Sequence, residues 1–236
     1  MIENDDFRLK RGAFLAASVA AACTALPSRA FGAAPAGSAA ASDSTEMLLG
    51  RLMAGNRRFI SNDFPPASHL ADKRAMLLES QAPYAAILGC CDSRVIPELV
   101  FVQGIGELFV ARVAGNFPDG ALIGSLEYTV SQLGTRLVMV LGHEGCGAVK
   151  AVYKAMATST PLPSHLSVLE DLISPGIASV VRAKGSIAEA IEANVRAAIA
   201  RLTASPPVFA SGVASGRVRV VGGIYELKSG AVRLLG

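Results

Sequence analysis

The stretch YAAILGCCDSRV, residues 84–95, joins a short apolar run to two adjacent cysteines, an aspartate, a serine and an arginine. A continuous apolar run of this length predicts a strand that is buried on both faces. In open parallel sheets, ligand sites gather beyond the carboxyl ends of the strands. The polar residues that follow Gly89 are therefore candidates for chemistry.

Two further apolar runs, residues 107–115 and 136–142, have the same strand-like character. Helical patterns separate the three runs: residues 98–103 fit a short helix, and residues 120–134 predict an amphipathic helix that ends at a glycine. Strands that are apolar on both faces and separated by helices imply a parallel sheet. The sequence therefore predicts an α/β fold with a mostly parallel central β-sheet flanked by helices.

Helical patterns also precede the first strand. Residues 45–60 place apolar side chains at helical intervals, behind a cap at Ser44 or Thr45. Residues 71–80 predict a second helix. The first of these helices forms an N-terminal helical arm, which packs either on its own core or on a partner subunit.

The last third of the chain begins with helices and ends with strands. Another helix is expected to begin near Cys146, and residues 164–176 and 186–205 predict two more. Residues 217–236 contain two strand-like runs that meet at a Ser-Gly pair, which predicts a C-terminal antiparallel hairpin. The pattern shows no internal repeat and no linker that would divide a second domain.

The first 36 residues have the layout of a bacterial export signal: RLKR, then a short apolar centre, then a run of small residues. The segment KRGAFL resembles a twin-arginine signal with Lys10 in the place of the first arginine. We therefore expect residues 1–36 to be a signal peptide and small-residue spacer, and the protein to be periplasmic or secreted. The alternatives are a disordered alanine-rich extension, or a lipoprotein signal at Cys23, which the small residues before that cysteine disfavour.

Charge and cysteine content narrow the function class. The formal net charge of +3 is small, and Lys and Arg do not cluster with aromatic residues, so we expect no nucleic-acid partner. Of the four cysteines, Cys23 lies in the predicted signal, and the remaining three cannot all pair. A disulfide framework is therefore disfavoured, and a metal or nucleophile role is favoured.

Cys90, His143 and Cys146 follow predicted strands and supply two thiolates and one imidazole. These are ligands that zinc prefers, and three protein ligands with one open position are typical of a catalytic rather than a structural zinc site. The plain alternative is two buried cysteines that act as small apolar residues and a histidine in a turn. The neighbouring cysteine, Cys91, points to the opposite side in an extended segment, so we expect it to be buried filler.

Asp92 and Arg94 lie two and four residues beyond Cys90. In an extended segment Asp92 projects to the same side as Cys90 and reaches the metal or its water. Arg94 can hold this carboxylate in a bidentate, charge-assisted pair that keeps it ionised. An ordinary ion pair in a loop is the alternative.

The motifs GCCDSRV and GHEGCGAV resemble the zinc-binding motifs of the β-class carbonic anhydrases. The stretches LMAGNRRF, FVARVAGN, GSLEYTVSQLG and GGIYELKSGAV extend the resemblance over residues 45–236, the expected β-carbonic anhydrase domain. The sequence departs from the family pattern at Cys91, where Ser or Ala is usual, and at Val113, where a polar residue is usual. The resemblance implies Zn²⁺ bound by Cys90, His143 and Cys146, with Asp92 and Arg94 as the catalytic dyad.

The function that the resemblance implies is reversible hydration of carbon dioxide to bicarbonate and a proton. It also implies a homodimer or homotetramer in which the N-terminal helices embrace the partner. Two alternatives stay open: a carbonyl sulfide or carbon disulfide hydrolase on the same scaffold, and a non-catalytic protein that binds bicarbonate or zinc.

Overall fold

A computed structural model describes residues 43–65 and 70–236, and its centre is a five-stranded sheet. The strands lie in the order β2-β1-β3-β4-β5, and every neighbouring pair is parallel except β4 with β5. The predicted mostly parallel sheet and C-terminal hairpin are therefore confirmed. The strands are β1 Ala85–Gly89, β2 Leu108–Arg112, β3 Leu137–His143, β4 Arg219–Tyr225 and β5 Val232–Leu235.

Eight α-helices and one short 3₁₀ helix, Ser164–Leu166, are found in the described part of the chain. None of the helices in these residues is both long and apolar enough to cross a bilayer. The predicted export signal and spacer, residues 1–36, lie outside the described residues. The α-helices are α1 Thr45–Ile60, α2 Leu70–Met76, α3 Pro97–Val100, α4 Gly120–Gln132, α5 Gly147–Thr158, α6 Ser167–Arg182, α7 Ile187–Thr203 and α8 Val208–Ala214.

Helices cover both faces of the sheet because alternate residues of each strand point to opposite sides. Leu88 of β1 packs in a cluster with Ile177 of α6 and Val195 of α7. Its neighbour Ile87 packs in a second cluster with Leu52 of α1. This two-sided burial explains why the strand sequences are continuously apolar rather than alternating.

Helix α6 differs from the predicted 164–176 because it begins at Ser167 and continues past Pro175 to Arg182. An internal proline removes one backbone hydrogen bond and crowds the preceding turn. Ile173 and Ile177, on either side of it, are fully buried, so their packing holds the helix together through the proline. The short helix α8, Val208–Ala214, has no counterpart among the sequence predictions.

Asn56 joins helix α1 to the C-terminal hairpin. Its buried Nδ2 donates to the carbonyl oxygens of Val100 and Gly230, at 3.1 and 2.9 Å. Its Oδ1 accepts from the backbone N–H of Val232 at 2.9 Å. One amide side chain therefore satisfies three backbone groups that would otherwise be buried without partners.

We expect Asn56→Ala to lower the free energy of unfolding by about 2–4 kcal/mol, since it leaves buried donors and acceptors unpaired. Urea denaturation followed by circular dichroism measures the change. Arg57→Ala, at an exposed position of the same helix, is the matched control and should change stability by less than about 0.5 kcal/mol. Equal stability of the two variants would contradict a structural role for Asn56.

Candidate metal centre

The candidate ligands come from the carboxyl ends of neighbouring parallel strands. β1 pairs with β3 in a register that sets Gly89 opposite Leu141, so Cys90 and His143 leave the same edge of the sheet. Cys146 follows three residues later as the N-cap of α5. The expectation that the fold brings these three residues together is confirmed.

Gly142 allows the close packing behind this edge. A Cβ at this position would lie 2.5 Å from Cγ2 of Val195 and 3.1 Å from Cδ1 of Ile224. Any side chain here would push α7 away from the sheet, and His143 would move with its strand.

The three ligand atoms lie within 4.8 Å of one another, and all three residues are buried. The sulfur atoms of Cys90 and Cys146 are 4.0 Å apart and form no disulfide. Tetrahedral zinc with Zn–S bonds of 2.3 Å sets two sulfur ligands about 3.8 Å apart. The spacing of the thiols therefore fits a zinc ion without rearrangement of the backbone.

His143 presents an unprotonated nitrogen to the cluster. Its Nδ1 lies 3.0 Å from the carbonyl oxygen of Glu144, which can only accept, so Nδ1 carries the proton. Nε2 is fully buried and has no hydrogen-bond partner among the described residues. An orphaned acceptor costs about 1–3 kcal/mol, and a metal ion between Nε2 and the thiols would satisfy it.

The two thiols are in contact, and each affects the acidity of the other. The hydrogen bond with Cys146 lowers the pKa of Cys90, and the N–H of Gly115, 3.4 Å from the Cys90 sulfur, acts in the same direction. The same contact with Cys90 raises the pKa of Cys146, and burial adds to the effect. The pair therefore holds one negative charge readily, and a second thiolate requires a cation between the sulfur atoms.

Asp92 and Arg94 form the predicted bidentate pair. Arg94 Nε donates to Asp92 Oδ1 at 2.9 Å and Nη2 donates to Oδ2 at 2.7 Å. These hydrogen bonds hold the pKa of the Asp92 carboxyl well below its usual range. Oδ2 also lies 3.9 Å from Nε2 of His143, so the carboxylate stands beside the ligand cluster while arginine holds it.

Sequence reasoning did not single out Arg112, which fixes the loop that carries Cys90 and Asp92. From the end of β2, its Nε donates to the carbonyl oxygen of Cys90 at 2.9 Å and its Nη2 donates to that of Asp92 at 2.8 Å. Arg112 could have been recognised from the sequence as a charged residue in an otherwise apolar strand, at the edge of the sheet where the site forms.

The prediction that Cys91 is buried filler was wrong, since this cysteine is exposed. Strand β1 ends at Gly89, so Cys91 lies in the loop that follows, where its side chain meets solvent rather than core. Its backbone N–H donates to the carbonyl oxygen of Val113 at 3.3 Å. Cys91 is not part of the ligand cluster.

Comparison with known proteins gives the same family from sequence and from structure. The carbonic anhydrase family model matches residues 85–232. A carbonic anhydrase from Mycolicibacterium smegmatis is 37% identical to this chain, in an alignment that covers 76% of this chain and 88% of that protein. A carbonic anhydrase from Pseudomonas aeruginosa is 34% identical, in an alignment that covers 77% of this chain and 84% of that protein. The solved Coccomyxa β-carbonic anhydrase in complex with acetazolamide is 29% identical with a TM-score of 0.63, over 79% of this chain and 86% of that one. The chain therefore belongs to the β-class carbonic anhydrases.

Substitution of one ligand at a time tests the cluster. We expect Cys90→Ser and Cys146→Ser to reduce bound zinc from about one ion per chain to a small fraction, because zinc prefers a thiolate to a hydroxyl. Inductively coupled plasma mass spectrometry of the dialysed proteins measures it.

Cys91→Ser is the matched control, since it makes the same chemical change one residue away. It should retain the zinc content of the unsubstituted protein. Loss of zinc in Cys91→Ser but not in Cys90→Ser would reverse the assignment.

Proposed function

We propose that this chain hydrates carbon dioxide reversibly to bicarbonate and a proton, with Zn²⁺ held by Cys90, His143 and Cys146. The observation that carries the proposal is the buried thiol–imidazole cluster with an orphaned Nε2, beside a carboxylate that an arginine holds away from it. Membership of the β-class carbonic anhydrases supports the same reaction.

When bound, zinc supplies a Lewis acid that lowers the pKa of a coordinated water from about 15.7 to about 7 and so provides a nucleophile at neutral pH. Three protein ligands leave one position open, as the reaction needs. Cys90 and Cys146 belong to a buried apolar cluster, and apolar surface of this kind suits carbon dioxide, which carries no net charge.

Asp92 has the task of orientation. The Asp92 carboxylate stays ionised because Arg94 donates hydrogen bonds to it, so it can accept a hydrogen bond from the nucleophile. This hydrogen bond would orient the nucleophile toward the carbon of carbon dioxide. The overall reaction would release bicarbonate, and its proton would pass to buffer. Without Arg94, the same carboxylate would be free to approach the cluster as a fourth ligand and close the site.

We also propose that the protein works as a homodimer or homotetramer. Met76 and Leu78 expose 82% and 81% of their surface, and Met47 and Ile60 on α1 are about half exposed. Large apolar side chains grouped at the N-terminal helices favour a covering subunit over water. The periplasmic or secreted location, from the signal-like residues 1–36, is likewise a proposal.

Stopped-flow measurement of carbon dioxide hydration by the zinc-loaded protein tests the function. We expect Arg94→Ala to reduce kcat/KM on the order of 10²-fold, because the carboxylate loses its orientation. Arg94→Lys, which keeps the charge but not the planar fork, should recover only part of the loss.

The matched control is Arg182→Ala, an exposed arginine at the end of α6, which should leave the rate unchanged. Full activity in Arg94→Ala would remove Asp92 orientation from the mechanism. Absence of hydration in the unsubstituted protein, with zinc bound, would favour carbonyl sulfide or carbon disulfide as substrate, or a binding role.

The pH dependence of kcat tests the roles of the Asp92 carboxylate and of the two thiolate ligands. Arg94 holds the Asp92 pKa low, so this carboxylate is ionised at neutral and alkaline pH and its protonation does not limit the rate there. Two thiolate ligands donate more charge than imidazoles, so we expect kcat to rise from neutral to alkaline pH. A flat profile over this range, measured with the same stopped-flow assay, would contradict the expectation.

A further inference from the structure

A cavity of about 350 Å³ lies on the far side of the loop that carries two of the metal ligands. Glu144 and Gly145, which separate His143 from Cys146, form one wall. The first residues of α7 and the end of β4 form the others. The cavity is thus separate from the Cys90–His143–Cys146 cluster but shares backbone with it.

The floor of the cavity is aliphatic. Ile191 and Ile224 are buried, and Ile187 is half-buried beside them. These three side chains come from α7 and β4 and present branched apolar surface without a polar group. A ligand that covers this floor gains from the removal of apolar area from water.

Charged side chains ring this floor, and three of them have no ion-pair partner among the described residues. The Glu144 carboxylate accepts only from the N–H of Leu227, and the Glu226 carboxylate accepts only from the hydroxyl of Ser229, among the described residues. The side chain of Lys150, on the first turn of α5, makes no hydrogen bond or ion pair with the described residues. Arg233, by contrast, is committed to Glu192 at 3.0 Å.

The arrangement has the polarity of a zwitterion site: two unpaired carboxylates and one unpaired ammonium above an aliphatic floor. A metal ion fits it poorly, because the structure brings no further group of three metal-ligating side chains together in the described residues. An anion alone would meet two carboxylates, and a simple ammonium would leave Lys150 unpaired.

We propose that this cavity binds a small α-amino acid with an aliphatic side chain. The ammonium of the ligand pairs with Glu144 and Glu226, its carboxylate pairs with Lys150, and its side chain lies on the isoleucine floor. The volume is ample for such a ligand, and it falls in the range of small-molecule pockets.

The position of the site couples it to the metal loop. The backbone N–H of Glu144 donates to the carbonyl oxygen of Tyr225 at 2.9 Å, and its side chain accepts from the N–H of Leu227 at 3.2 Å. A ligand held by this residue therefore contacts the segment between His143 and Cys146. The binding itself does not depend on the proposed reaction, so its test needs no turnover.

Ligand-observed saturation-transfer NMR with the full-length, zinc-loaded protein measures the binding, with L-leucine as the probe. We expect saturable binding with a dissociation constant on the order of 1 mM, as suits a few exposed ionic contacts and a small apolar floor. Isoamylamine and isocaproate, which each lack one charged group of leucine, should bind more weakly.

Lys150→Met and Glu226→Gln should each weaken leucine binding by about two- to fivefold. Lys154→Met, one turn further along α5 and outside the cavity, and Glu79→Gln are the matched controls and should bind as the unsubstituted protein does. Three results would overturn the proposal: no saturable signal at concentrations well above the expected constant, isoamylamine binding as tightly as leucine, or equal losses in Lys154→Met and Lys150→Met.

Discussion

The parallel pairing of β1 with β3 is the constraint on which the site depends. The two strands start in register, with Ala85 opposite Leu137, but β1 ends at Gly89 while β3 continues to His143. The chain therefore turns away after β1 at the point where Cys90 can face the end of β3. Every ligand distance in the cluster follows from this difference in strand length and from the short loop to Cys146.

The protein alone leaves the hydrogen-bonding and charge requirements of the ligand cluster unmet. It combines a buried imidazole nitrogen without a partner and a pair of thiols in which one sulfur resists deprotonation. Arg112 and the N–H of Gly115 hold the surrounding loops in place, so the ligands cannot relax by moving apart. A cation resolves both difficulties at once, which explains why a protein would maintain this arrangement.

Much of the fold was predictable because its strands are buried on both faces and its helices are amphipathic. The order of strands and helices, the C-terminal hairpin and the meeting of Cys90, His143 and Cys146 at one edge all follow from that periodicity and from the rule for parallel sheets. The bidentate pair of Asp92 and Arg94 followed from their spacing.

Other features depend on tertiary packing, which local pattern does not contain. Helix α6 continues through Pro175 because the isoleucines on either side of the proline are buried, and the local sequence does not indicate that burial. The exposure of Cys91 depends on where β1 ends, and the role of Arg112 depends on which loop lies across from β2. The cavity beside Glu144 and Gly145 is lined by residues from α5, α7 and the C-terminal hairpin, so no single stretch of sequence predicts it.

X-ray absorption at the zinc edge tests the central claim most directly, because it counts the atoms around the metal. Two thiolates from Cys90 and Cys146, with His143 and one further light atom, predict two sulfur neighbours at about 2.3 Å and two nitrogen or oxygen neighbours at about 2.0–2.1 Å. Three sulfur neighbours would mean that Cys91 has entered the site. A shell of nitrogen and oxygen alone would place the metal elsewhere and contradict the account.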